Sequence, residues 1–175
     1  MSVGHHKSYA PKTVACRVLT VSDTRTPETD TSGLLIVEKL TANNHTVIAH
    51  AIVPDEVDQI EDTLKAGIDD PKTDAIIITG GTGIAPRDVT IEAVEGLITK
   101  GIPGFGEIFR ALSFEEIGPA AMASRATAGT AGDTLIFATP GSRGAVALAM
   151  ERLILPEIAH LIGQMRRSKK APAKN

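Results

Sequence analysis

The sequence predicts an α/β fold: a mainly parallel sheet with helices on both faces and one antiparallel edge strand. Two observations lead there. Between Val14 and Ile98, strand-like and helix-like stretches alternate three times, and such alternation argues for a parallel sheet. Later, two short strands are joined by Gly132-Asp133, a turn that makes them antiparallel.

Each element has its own signal. Val14 to Val21 is an apolar run ending at Ser22-Asp23. Asp30-Thr31-Ser32-Gly33 offers helix caps, and Leu34 to Leu40 has apolar residues at helical spacing. Thr46 to Val53 is a second strand, ending at Pro54-Asp55, with His50 in its middle as a packed or surface side chain. Val57, Ile60, Leu64 and Ile68 mark a second helix, which Pro71 closes. Ala75 to Thr79 is a buried, β-branched strand, followed by Gly80, Gly81 and Gly83 with only Thr82 between them. Val89 to Ile98 is helical and stops before Gly101 and Pro103. The stretch from Gly104 to Gly118 reads as helix interrupted near Ser113, with a further short helix from Pro119. Arg125 to Gly132 and Thr134 to Thr139 are the antiparallel pair, the second ending at Pro140-Gly141-Ser142. A long amphipathic helix, Ala145 to Gln164, carries Pro156 as a kink.

A chain of 175 residues is long enough for one domain with a sizeable core. Residues 1–12 read as a flexible arm, 13–166 as the domain and 167–175 as a basic tail. The tail begins at a solvated helix end, Arg166 and Arg167. The arm's His5 and His6 lack further ligands at metal-binding spacing. The composition is 42% hydrophobic, 22% charged and 3% aromatic, that of an ordinary globular protein with an aliphatic core. A net charge of −3 and scarce aromatics argue against nucleic acid as a partner. No apolar run is long enough to span a bilayer and the start has no signal segment, so a cytoplasmic protein is expected, with no membrane partner. Cys16, the one cysteine, lies in a strand and reads as a small buried hydrophobe.

Polar and glycine residues collect where strands end: Ser22-Asp23, Pro54-Asp55, Gly80-Gly81-Thr82-Gly83 and Pro140-Gly141-Ser142. In open α/β sheets, ligands bind beyond the carboxyl ends of the strands. A bare-backbone loop before a helix suits an anion such as phosphate. Each cluster alone has a structural explanation, since Asp or Ser at a strand–helix junction can be an N-cap. Four together point to a shared crevice. Carboxylates beside a phosphate site need a cation, and Mg²⁺ takes one or two carboxylates with phosphate and water. Asp55 and Asp88 are therefore candidates for holding a Mg²⁺–nucleotide. The loop lacks the Lys-Ser/Thr ending of a Walker P-loop.

TGGTG followed by RDVT, then PGFGEIFRALSFEEIG, SRATAG and PGS, resembles the molybdenum cofactor biosynthesis proteins of the MoaB/MogA type, and more closely the MoaB branch. The resemblance runs from about Val14 to the last helix. It implies a three-layer αβα sandwich, the molybdopterin-binding type of domain, assembled as homotrimers or homohexamers. It also implies a molybdopterin adenylyltransferase that uses Mg-ATP and releases pyrophosphate, priming the pterin for a downstream molybdenum-insertion step. Asp55 and Asp88 match the family's functional aspartates, as catalytic and metal-binding residues. Gly80, Gly81, Thr82 and Gly83 match its molybdopterin-binding loop. Ser113 and Pro140, Gly141 and Ser142 match the far side of that pocket, and Asp23 lies at a matching strand end. The alternative is a non-catalytic molybdopterin carrier or scaffold, which would not need the two acids.

Overall fold

Three strands with alternating faces build the centre of the molecule. A computed structural model describes residues 10–167; the readings for residues 1–9, with His5 and His6, and for 168–175 lie outside the described residues. Its elements run β1 (Ala15–Val21), α1 (Thr31–Ala42), β2 (Thr46–Val53), α2 (Val57–Asp69), β3 (Ala75–Thr79), α3 (Thr90–Leu97), β4 (Lys100–Gly101) and α4 (Pro103–Ile117). A 3₁₀ turn at Gly118–Ala123 leads to β5 (Thr127–Ala131), β6 (Thr134–Thr139), α5 (Arg143–Ala149) and α6 (Leu155–Arg167). The six strands form one sheet in the order β2-β1-β3-β6-β5-β4. The first four in that order are parallel neighbours, and β5 pairs antiparallel with β6 and with β4.

Period-two alternation sends neighbouring side chains to opposite faces. Cys16 and Val18, Ala75 and Ile77, and Leu135 and Phe137 join α1, α4, α5 and α6 in one core. Leu19 and Val21, Ile76 and Ile78, and Ile136 and Ala138 join α2 and α3 in the other. This is the expected αβα sandwich with its antiparallel margin. Each fully buried Leu or Ile adds about 1.5–3 kcal/mol. Cys16 is 0% exposed, and burial, helped by the charge of Asp74, pushes its thiol up to about 12. It is a packing residue, as read.

Four details differ from the sequence reading. β4 is only two residues long and sits where the sequence shows a helix stop. Pairing with Gly129 and Thr130, not local preference, makes it a strand. α4 runs unbroken through Ser113, which is buried, because Phe105 and Phe109 anchor that helix in the core and Gly118, at φ +64, is what ends it. The last helix is not simply kinked at Pro156: a π-helical turn occupies Met150–Ile154. Proline has no N–H to give and its ring crowds the carbonyl four residues back, so the extra residue in the turn relieves both problems. Arg166, read as part of a solvated helix end, is ion-paired with Asp74, whose other carboxylate oxygen accepts the Ala15 N–H at the start of β1.

Candidate functional site

Residues from all four strand ends meet at one mouth. A cavity of about 280 Å³ lies at the carboxyl ends of β1, β3 and β6. Ser22, Asp55, Gly80, Gly81, Asp88 and Gly141 all line it, so every predicted cluster contributes.

The glycine loop explains the approach. Gly80 has φ +94, and a Cβ there would lie 2.2 Å from the Val21 carbonyl oxygen. Gly81 has φ +60, and its Cβ would lie 2.5 Å from Asp55 Oδ1 and 2.4 Å from Thr90 Oγ1. Side chains are excluded at both positions by strain and by space. The Gly80 N–H is not free for a ligand, as it donates to the Thr139 carbonyl at 3.3 Å. Among the described residues the N–H groups of Gly81, Thr82 and Gly83 have no partner. The loop does not run straight into α3 either. It is folded back on that helix, with the Thr90 N–H donating to the Gly81 carbonyl at 2.9 Å.

The acids are not helix caps. The N-caps of α2 and α3 are Glu56 and Val89, neither with a side-chain capping bond. Asp88 instead accepts the N–H of Ala85 at 2.9 Å, shaping its own loop, and a Cβ on Gly83 would lie 2.6 Å from its Oδ2. Asp55 accepts the Asp23 N–H at 3.1 Å and donates its own N–H to Asp23 Oδ1 at 3.1 Å. Burial first, then the charge of Asp23, raises the Asp55 carboxyl above its ordinary value, and Asp88 adds to this. Asp23 is lowered, chiefly by its hydrogen bonds to the Arg87 guanidinium. Arg87 reaches Asp23 at 2.8 Å and Glu56 at 2.7 Å, tying together the loops after β1, β2 and β3.

The remaining candidates are placed less directly. Asp23 lines a neighbouring cavity instead of the central one. Thr82 is buried, and its carbonyl accepts from Arg125 Nε at 2.9 Å. Pro140 offers its carbonyl to the Thr79 hydroxyl, Gly141 packs on Gly80, and Ser142 caps α5 through the Ala145 N–H. Ser113 is buried within α4 and is not among the residues lining the mouth.

Two arginines escaped the sequence reading, Arg87 and Arg125. Arg125 donates to the carbonyls of both Thr82 and Asp88 and pairs with Glu92, so one side chain fixes both ends of the glycine-to-acid loop. Only the partners, distant in sequence, give either arginine its role. Asp30 is the helix cap read from the sequence, and its further partners are what that reading missed. It caps α1 through the Gly33 N–H and is 1% exposed, accepting from the Thr20 hydroxyl and pairing with His50.

The donor set suits Mg²⁺. Asp55 and Asp88 supply hard oxygen ligands at one mouth, and the 0% exposed Thr90 hydroxyl beside Gly81 has no hydrogen-bond partner. No group of three or more metal-ligating side chains occurs among the described residues. A larger cavity at the opposite end of the sheet, about 530 Å³, includes Asp70 and Asp74, whose charges are taken by Arg17 and Arg166.

The class is an α/β domain whose mostly parallel sheet carries a glycine-lined, acid-edged cavity at the carboxyl ends of its strands. Residues 17–160 match the family described as "Probable molybdopterin binding domain", and the chain belongs to that family, among the MoaB/MogA-type proteins of molybdenum cofactor biosynthesis. It is 55% identical over 170 residues to molybdenum cofactor biosynthesis protein B of Bacillus subtilis (strain 168), covering 97% of this chain and 100% of that protein. A solved structure of a molybdenum cofactor biosynthesis protein B superposes with a TM-score of 0.88 at 50% identity, covering 90% of this chain and 99% of that one. The tungsten cofactor synthesizing protein MoaB from Pyrococcus furiosus superposes with a TM-score of 0.81 at 39% identity, covering 90% and 99%. Among the described residues no helix is long and apolar enough to cross a membrane.

Proposed function

We propose that the protein is a molybdopterin adenylyltransferase, transferring AMP from ATP to the terminal phosphate of molybdopterin. The observation that carries this reading is the meeting of Asp55 and Asp88 with Gly80, Gly81 and Gly141 around one cavity. A carrier of molybdopterin would need the glycines; it would not need two acids, one with its carboxyl raised by burial and like charge.

In the proposed reaction a phosphate oxygen of molybdopterin attacks the α-phosphorus of ATP. The new P–O bond forms as the bond from the α-phosphorus to the β-bridging oxygen breaks, and pyrophosphate leaves with the electron pair. Asp55 and Asp88 would hold Mg²⁺, which supplies charge stabilisation at the transferring phosphoryl group when bound. The free N–H groups of Gly81, Thr82 and Gly83 hold phosphate oxygens. Arg25, which lines the mouth, offers positive charge for the leaving pyrophosphate. The Asp23–Arg87 pair keeps the Asp55 loop in place. No nucleophilic side chain takes part.

The site reading goes with a cytoplasmic homotrimer or homohexamer that passes its product to a molybdenum-insertion protein. Phe114, Ile117 and Met122, at 55% exposure or more, form an apolar surface on α4 and the following turn that a second copy can bury. Incubation with Mg-ATP, with and without molybdopterin, tests the activity. Pyrophosphate release that depends on the pterin is expected. Tight pterin binding without any release would instead identify a carrier, and release to water without pterin a pyrophosphatase.

A further inference from the structure

One buried hydroxyl beside the glycine loop has nothing to bond to. Thr90 is 0% exposed, and among the described residues its Oγ1 is the one buried side-chain oxygen or nitrogen without a hydrogen-bond partner. A polar group left unpaired in the interior costs stability. Valine has the same shape and would fill the position without that cost. The chain carries threonine instead, at the first position of α3 and two residues after Asp88, which lines the mouth.

What the hydroxyl faces is set by Gly81. A Cβ there would lie 2.4 Å from Thr90 Oγ1 and 2.5 Å from Asp55 Oδ1. The two oxygens therefore border one gap, which a side chain at residue 81 would fill. They are not bonded to each other across it. Asp55 accepts the Asp23 N–H on Oδ2, and its Oδ1 has no partner among the described residues. Thr90 is held in place by its own N–H, which donates to the Gly81 carbonyl at 2.9 Å. Arg125 fixes the carbonyls of Thr82 and Asp88 in the same loop. A carboxylate oxygen and a hydroxyl oxygen on one gap are a pair of hard donors, the kind that Mg²⁺ takes.

We propose that Thr90 is a direct ligand of the Mg²⁺ that accompanies ATP, binding it through Oγ1 beside Asp55 Oδ1. This rests on the adenylyltransferase reading and adds to it a third protein ligand, and a reason why residue 81 carries no side chain. The hydroxyl keeps its proton when it ligates, and that proton is left to donate to a phosphate oxygen. In P-loop NTPases a Ser or Thr after a glycine-rich loop holds Mg²⁺ in the same way, although the loop here lacks the lysine of that motif.

The test exchanges the ligand atom. Thr90→Cys puts a thiolate in place of the hydroxyl, and soft Cd²⁺ bound to thiolate gives an ultraviolet charge-transfer band. Titrating the full chain with Cd²⁺ alone should produce that band in Thr90→Cys and not in the wild type, whose single Cys16 is 0% exposed. Adding Asp55→Asn to the Cys variant should raise the Cd²⁺ needed at least tenfold. Mn²⁺ binding in the presence of ATP, followed by electron paramagnetic resonance, should weaken at least tenfold in Thr90→Val and stay within threefold of the wild type in Thr90→Ser. Without metal, Thr90→Val should melt no lower than the wild type, because it removes only an unpaired hydroxyl. Unchanged Mn²⁺ affinity in Thr90→Val would overturn the proposal, whether or not the Cys variant folds. If that variant also melts lower, the hydroxyl serves the fold alone. Pterin-dependent pyrophosphate release would leave the enzyme reading intact in either case. A wild type that binds no Mn²⁺ with ATP would overturn both.

Discussion

Asp23 and Asp55 each accept the other's backbone N–H, at 3.1 Å in both directions. The ends of two neighbouring parallel strands are thereby clasped, and two carboxylates are brought close. One is relieved by Arg87; the other faces the cavity and carries the cost. The opposite shifts of the two carboxyls follow from that division.

The cost at Asp55 has a sign that can be measured. Its carboxyl is raised in the fold above the ordinary 3.8, so the folded state holds its proton more tightly than the unfolded one. Ionised Asp55 therefore destabilises the fold above its raised value, and the penalty disappears as pH falls below the unfolded value. Asp55→Asn should raise the melting temperature at pH 7, and melting curves of the two proteins should converge below about pH 4. A lower melting temperature for the variant at pH 7 would refute the assignment. The same variant should lose activity, a trade of function for stability.

Arg87 lowers the Asp55 carboxyl while Asp23 raises it. Arg87→Gln removes the cation and leaves the like charge. On the proposed function, the acid limb of the pH–activity profile should follow ionisation of Asp55 and move to higher pH. Turnover on the alkaline plateau should fall less than tenfold, because Arg87 lines neither cavity. An unmoved acid limb would separate Arg87 from the site.

Asp88 offers a different test. Asp88→Asn keeps an oxygen to accept the Ala85 N–H, so the loop is retained. Turnover should fall about a hundredfold or more, as when a group stabilising transition-state charge is lost. Pterin affinity, measured by fluorescence titration, should change less than threefold. Near-normal adenylylation by this variant would remove Asp88 from catalysis.

Arg125→Ala strips the hydrogen bonds from two loop carbonyls. Urea unfolding should show a loss of about 1.5–3 kcal/mol, the usual worth of hydrogen bonds to a charged group. Arg125→Lys should recover less than half, since an ammonium lacks the planar fork that serves both carbonyls and Glu92.

Gly81→Ala places a methyl within 2.5 Å of both Asp55 Oδ1 and Thr90 Oγ1, at φ +60. A destabilisation of about 1–3 kcal/mol is expected from the left-handed backbone alone. Pterin binding should be lost with it, whereas Gly104→Ala, with open space around its Cβ position, should bind normally.

Local chemistry in the chain was enough to determine the layered sheet, its antiparallel margin and the four strand ends where polar residues gather. Runs such as Ala75 to Thr79 and the bare Gly80-Gly81 step carry their meaning in their own spacing and in what a backbone can adopt. Tertiary structure alone decided that β4 is a strand, that Ser113 lies inside an unbroken helix, and that Asp55 and Asp88 line a cavity and do not cap a helix. It also decided what Arg87, Arg125 and the Asp30–His50 pair do. A charged side chain takes its role from whichever group lies opposite it, and here those groups lie 20 to 64 positions away in the chain. Only the packing of the sheet brings them together.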